Sequence, residues 1–180
     1  MVILSENDKQ LILDLAVNKI EIDDFYDRYS VNISDDHSYV LRMLELTEQA
    51  QDAETIEYLT YLRGYHRDVE PKHIHCEIFR RLLLEEWHHS HEYMIDALWF
   101  EKDTAAIPVL VQRALGTLPQ LDELDDASLR KRSVYAIAKI GGDSAIEALK
   151  DLAERGSKQV RETAQKCIQD IQNDAKYLRS

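Results

Sequence analysis

Cysteine, proline and glycine are scarce here, at two, three and five residues in 180. Cys76 and Cys167 each lie in a helical pattern without a C-x-x-C partner, which gives no sign of a disulfide framework or a thiolate zinc site and suits reducing cytosol. So few turn-makers cannot serve the many hairpins of an all-β fold. No apolar run approaches the roughly 18 residues of a membrane span. Met1-Val2-Ile3-Leu4 passes at once to Ser5 and Glu6, with neither a basic nor an extended apolar leader, so a cytoplasmic protein without an anchor is expected. Also missing are G-x-S-x-G, a phosphate-cradling glycine loop and a dinucleotide fingerprint. The pairs Asp23-Asp24, Asp35-Asp36 and Asp125-Asp126 are adjacent, so on a helix they diverge and give no reason to share a proton. No catalytic residue is nominated from these motifs, and no cofactor is expected.

What is present points to helices. Hydrophobic residues make up 44% and charged ones 31%, too apolar for a disordered chain and too evenly charged for a membrane protein, and the length suits one domain. Ser5 with Asp8 marks a helix start, and Leu11, Ile12, Leu15 and Ala16 carry that helix to about Lys19. Ile22, Phe25, Tyr26 and Tyr29 pattern a second, and Ser30 to Asp36 reads as a loop. Val40, Leu41, Met43 and Leu44 mark a third. Asp52 caps a fourth, with Tyr58, Tyr61, Leu62 and Tyr65 at helical spacing and Gly64 weakening its end. Pro71 starts a fifth, whose inner face is Ile74, Ile78, Phe79, Leu82, Leu83 and Trp87.

The charge is acidic and uneven. Lys and Arg number 22 against 34 Asp and Glu, a net of −12, which repels nucleic acid and anionic lipid. Residues 1–70 hold 16 acids and 6 bases, whereas 71–180 hold 18 and 16. This acidity serves either solubility or the steering of a basic partner.

From residue 90 the chain repeats. Leu129, Ser133, Ala136, Ile137 and Ile140 shift by 31 onto Val160, Ala164, Cys167, Ile168 and Ile171, all small or apolar. A shift of 39 the other way gives Ser90, Met94, Ala97, Leu98 and Glu101, where the middle three hold. The partner helix repeats as Ala106, Leu110 and Ala114 onto Ala145, Leu149 and Ala153. Asp103 and Gly141-Gly142-Asp143 supply the helix stop and N-cap of a tight antiparallel turn. These units, through Ile140-Gly141-Gly142-Asp143-Ser144-Ala145-Ile146-Glu147-Ala148-Leu149 and Val160-Arg161-Glu162-Thr163-Ala164, resemble HEAT repeats, particularly the short bacterial phycobilisome-lyase type. The likeness covers about residues 90–172. It implies an all-α fold of antiparallel helix pairs stacked as a short HEAT-like α-solenoid: one domain over 1–180, with acidic helix pairs in 1–89 and the repeats in 90–172. Similar small bacterial proteins include immunity proteins, so the resemblance also implies a non-catalytic protein-binding module that occludes a cognate, basic, nuclease-type toxin domain. The alternatives are a scaffold or adaptor, or an enzyme such as a bilin lyase.

Five of seven histidines fall between His73 and His91, namely His73, His75, His88, His89 and His91, among Cys76, Glu85, Glu86 and Glu92. H-E-x-x-H is absent; Glu85-x-x-His88 gives one di-iron-like pair, and Glu70-x-x-His73 spans Pro71. The histidines are read as capping or linking two helices around Ser90, with a metal-dependent hydrolase as the competing reading. The basic cluster Arg130-Lys131-Arg132 is short and follows an acidic loop, so no nucleic acid partner is expected.

Three places are nominated for partner contact. Tyr58, Tyr61 and Tyr65 share a helix face that is read as core; if open, with Asp52, Glu54 and Glu57 around it, it makes a patch for a basic protein. Gly116 to Asp126 is an inserted connector carrying Asp122, Glu123, Asp125 and Asp126, which either meets a partner or favours the next helix's N-terminus near Ala127. Trp99 and Phe100 are adjacent, so one of them belongs at an edge or interface.

Overall fold

Apolar spacing is realised as ten α-helices and one 3-10 turn, with no strand among the described residues. The computed structural model describes residues 3–31, 33, 36, 38–66 and 72–177. The helices are α1 (Glu6–Ala16), α2 (Ile22–Arg28), α3 (Tyr39–Ala50), α4 (Ala53–His66), α5 (Lys72–Leu82), α6 (His91–Phe100), α7 (Ile107–Leu115), α8 (Glu123–Ile140), α9 (Asp143–Arg155) and α10 (Lys158–Tyr177). The chain divides into two compact units within α5: one runs to Ile78 and includes Trp87–Ser90, the other comprises Phe79–Glu86 and His91 onward. None of the described helices is long and apolar enough to cross a membrane.

In the first unit, α1 opens on Ser5, whose Oγ accepts the Asp8 N–H at 3.1 Å. It stops at Ala16, short of Lys19, because Asn18 turns left-handed at φ 55° and the Lys19 N–H folds back to the Asp14 carbonyl at 2.8 Å. Asp52 caps α4 by accepting the Thr55 N–H at 3.0 Å and the Thr55 hydroxyl at 2.7 Å. Burial works to raise the Asp52 carboxyl, but these bonds and the Lys9 charge outweigh it and hold it below the ordinary value. Gly64 does not end α4, which continues to His66. α1 packs on α2 and α4, and α4 on α3. Leu11, Ile12, Leu15, Phe25, Val40, Leu44, Ile56, Leu59 and Leu62 are buried there, each contributing about 1.5–3 kcal/mol. The expected start of α5 at Pro71 lies outside the described residues, as does the side chain of Ile74. Trp87 lies beyond the end of α5, half-buried, with its ring 4.8 Å from that of His88.

The second unit follows the repeat register. Leu129, Ser133, Ala136, Ile137 and Ile140 of α8 are buried, as are their counterparts Val160, Ala164 and Cys167 of α10 and Met94 and Leu98 of α6. Ala106, Leu110 and Ala114 are buried, and so are Ala145 and Leu149. Helices of like register touch, α6 with α8 and α8 with α10, and α7 with α9; α8 also packs on α7 and α9, and α9 on α10. Gly141 and Gly142 form the α8–α9 turn at φ 79° and 83°, a region L side chains rarely enter. Gly142 itself is the N-cap and Asp143, expected as the cap, is the first helical residue, so the helix starts one place earlier than expected. Asp103 caps the 3-10 turn by accepting the Ala105 N–H at 3.1 Å. The connector after α7 is shorter than expected: α8 begins at Glu123, not near Ala127, because Asp122 accepts the N–H groups of Leu124 and Asp125 at 2.9 Å.

Candidate interaction surfaces

The tyrosine stripe of α4 is not core. Thr55, Ile56, Leu59, Leu62 and Arg63 take the inner face, which leaves Tyr61 48% and Tyr65 43% exposed, with Tyr58 half-buried. Glu54 and Glu57 are exposed on the same face, at helical spacing from Tyr61 and Tyr65. The face is rigidly held. The Tyr65 hydroxyl donates to the Leu15 carbonyl at 3.1 Å. Lys9 of α1 reaches Glu54 at 2.8 Å and Glu6 at 3.0 Å, and lies 5.8 Å from the Tyr58 ring centre. Hydrogen bonds to Glu54 and then Glu6 push the Lys9 ammonium well above its ordinary value. Asp52, half-buried and occupied as the α4 cap, is the member of this group whose carboxylate faces its own helix.

The acids near residue 122 separate into two kinds. Asp122, Glu123 and Asp125 are exposed in the cap and first turn of α8, where they favour the positive end of the helix. Asp126 points inward with only 6% of its side chain exposed. One carboxylate oxygen pairs with the buried Arg113 and accepts the Leu118 N–H at 3.0 Å; the other lies 3.0 Å from Arg130 Nε. Asp126 therefore ties α7, the 116–122 connector and α8 together, and is unavailable to a partner.

Neither Trp99 nor Phe100 joins the core. Phe100 is 48% exposed, and half-buried Trp99 lines a groove of about 490 Å³ between α6 and α8. Trp99 Nε1 donates to Asp96 at 3.0 Å, and Lys139 Nζ sits 3.8 Å over the indole. Arg132 pairs with Glu92 and reaches Asp96 at 3.5 Å. Leu124, Lys131 and Tyr135 of α8 continue the lining. Leu124 is 81% exposed, and spacing gave no signal for it because it falls off the apolar stripe of α8.

Among the histidines, Ser90 N–H donates to His88 Nδ1 at 3.2 Å, and His91 Nε2 donates to the Glu85 carbonyl at 2.8 Å. His75, fully buried, accepts from Arg63 Nε at 3.4 Å. His89 is exposed, and the His73 side chain lies outside the described residues. Among the described residues no group of three His, Cys, Asp or Glu is placed to hold a metal ion.

Compared with models of known protein families, with curated proteins and with solved structures, the chain has no match. Rigid aromatics beside carboxylates on α4 suit the capture of cationic side chains, whereas the α6–α8 groove mixes apolar surface with lysines.

Proposed function

We propose that the chain is a non-catalytic protein-binding module whose α4 face captures a basic partner. The observation that carries this reading is the exposure of Tyr61 and Tyr65 beside Glu54 and Glu57 on a helix whose other face is well buried. Tyrosine gives large contact area at low entropy cost and a ring face for Lys or Arg, and the acid excess of residues 1–70 speeds encounter with a cationic surface. In its sharpest form the module is an immunity protein that covers the basic cleft of a cognate nuclease-type toxin domain, on a scaffold of helix pairs stacked in the HEAT-like manner. The contacts of α6 with α8, α8 with α10 and α7 with α9 support that stacking. The backbone hydrogen bonds of His88 and His91 support a structural role for the histidines. The test is co-expression with the product of the neighbouring gene, followed by pull-down at low and raised salt. A single stoichiometric basic partner, released by salt and no longer toxic when bound, is the expected result. A partner retained equally by a Tyr61→Ala/Glu57→Lys variant would remove α4 from the interface and the proposal with it.

A further inference from the structure

We infer that α4 carries two like seats for a cationic side chain, one filled by the chain's own Lys9 and the other, at Glu57 and Tyr61, open to a single cationic side chain of the partner. The inference rests on the proposed capture of a basic partner and names where its first cation goes. The filled seat shows the chemistry. Glu54 and Tyr58, four residues apart on one face of α4, receive Lys9 of α1, whose Nζ lies 2.8 Å from Glu54 Oε2 and 5.8 Å from the Tyr58 ring centre. Glu6 adds a second carboxylate at 3.0 Å. The lysine is drawn in: 12% of its side chain is exposed, against 61% for Glu54.

The same pair recurs three residues on. Glu57 and Tyr61 repeat the spacing of Glu54 and Tyr58, about 60° round the helix and about 4.5 Å along it. That rotation takes them off the seam with α1, which Tyr58 and Tyr65 follow through Lys9 and the Leu15 carbonyl. Among the described residues no cation pairs with the Glu57 carboxylate and no side chain bonds the Tyr61 hydroxyl. Both residues are exposed, whereas Tyr58 is half-buried. Gly64, three residues past Tyr61, is exposed inside α4 without a positive φ, so it weakens the helix for no local conformational reason and adds no side chain beside the seat. An approaching backbone has that room. With one carboxylate where Lys9 has two, the open seat holds a cation less tightly, as a reversible contact requires.

The test titrates the full chain with a deca-lysine peptide at low salt, comparing the native protein with single variants whose folding is checked by denaturation. Glu57→Gln is expected to weaken binding at least about threefold. Asp27→Asn, which neutralises an exposed acid of α2 with no aromatic three or four residues away, is expected to weaken it less than about 1.5-fold. Tyr61→Leu is expected to weaken binding as Glu57→Gln does and Tyr61→Phe to bind like the native protein, since the ring serves the cation. Lys9→Met empties the first seat and is expected to tighten binding at least about threefold, whereas Arg28→Met, which removes a cation paired with Asp24, tightens it less than about 1.5-fold. Equal losses at Glu57→Gln and Asp27→Asn, or equal gains at Lys9→Met and Arg28→Met, would overturn the two seats and leave capture of a basic partner to the Tyr61→Ala/Glu57→Lys pull-down. A peptide that binds none of these proteins would overturn both.

Discussion

The Asp126 carboxylate shows how one residue type serves two purposes within five positions. Asp122 and Asp125 stay in solvent, while Asp126 faces Arg113, Arg130 and the Leu118 amide. Removing its charge strands the Arg113 guanidinium in a site where it is 1% exposed. Asp126→Asn is expected to cost about 3–5 kcal/mol in denaturant unfolding, and Asp125→Asn less than about 0.5 kcal/mol. The Tyr29–Tyr39 pair makes a second case. Their hydroxyls lie 3.4 Å apart, and burial pushes both phenols above the ordinary 10.0. The folded protein thus keeps protons that the unfolded chain loses, so this stability is complete below pH 10.0 and declines as pH rises beyond it. The unfolding midpoint is expected to fall through that range, and more gently in Tyr29→Phe; equal slopes would refute the linkage. None of this was legible in sequence, where Asp126 is one of four acids in a row of loop-like residues.

At the level of single helices the sequence was legible wherever aliphatic spacing was unambiguous. The repeat register returned as buried positions throughout α8 and at Val160, Ala164 and Cys167 of α10, while Ile168 and Ile171 are half-buried, because small and branched residues recur there at a helical period. The α4 tyrosines read as core in the sequence because their aromatic stripe overlaps an aliphatic one, whereas the structure leaves Tyr61 and Tyr65 exposed. Ile56, Leu59 and Leu62 lie beside Tyr58, Tyr61 and Tyr65, and aliphatics need no partner for a hydroxyl when buried, so they win the interior. The end of α5 failed for a related reason: Trp87 continues the apolar rhythm past Leu82, where the helix has already stopped. Glycine offers a check on local geometry. Gly142→Ala forces a side chain into φ 83° and is expected to cost about 1–3 kcal/mol. Gly64→Ala, at an exposed position inside α4, is expected to stabilise by about 0.5–1 kcal/mol. Chemical denaturation of both variants reads the two signs directly.

For the chain as a whole, the uneven charge is the feature on which the proposed capture of a basic partner rests. The acid excess belongs to residues 1–70, which include α4 and its exposed tyrosines, while the rest of the chain is nearly balanced. Composition announced that asymmetry; only the packing of α4 showed that aromatics stand in the open beside the acids. Binding of a basic partner there is expected to weaken with salt, since steering acts through screened charges. The most direct test is the Kd of the partner recovered by co-expression, measured on the native protein and on Tyr61→Ala, a substitution at a 48% exposed position whose fold is checked by unfolding. A loss of at least about 2 kcal/mol in binding with unchanged stability is the result expected of an anchor residue. An unchanged Kd would contradict the assignment of α4 as the capture surface.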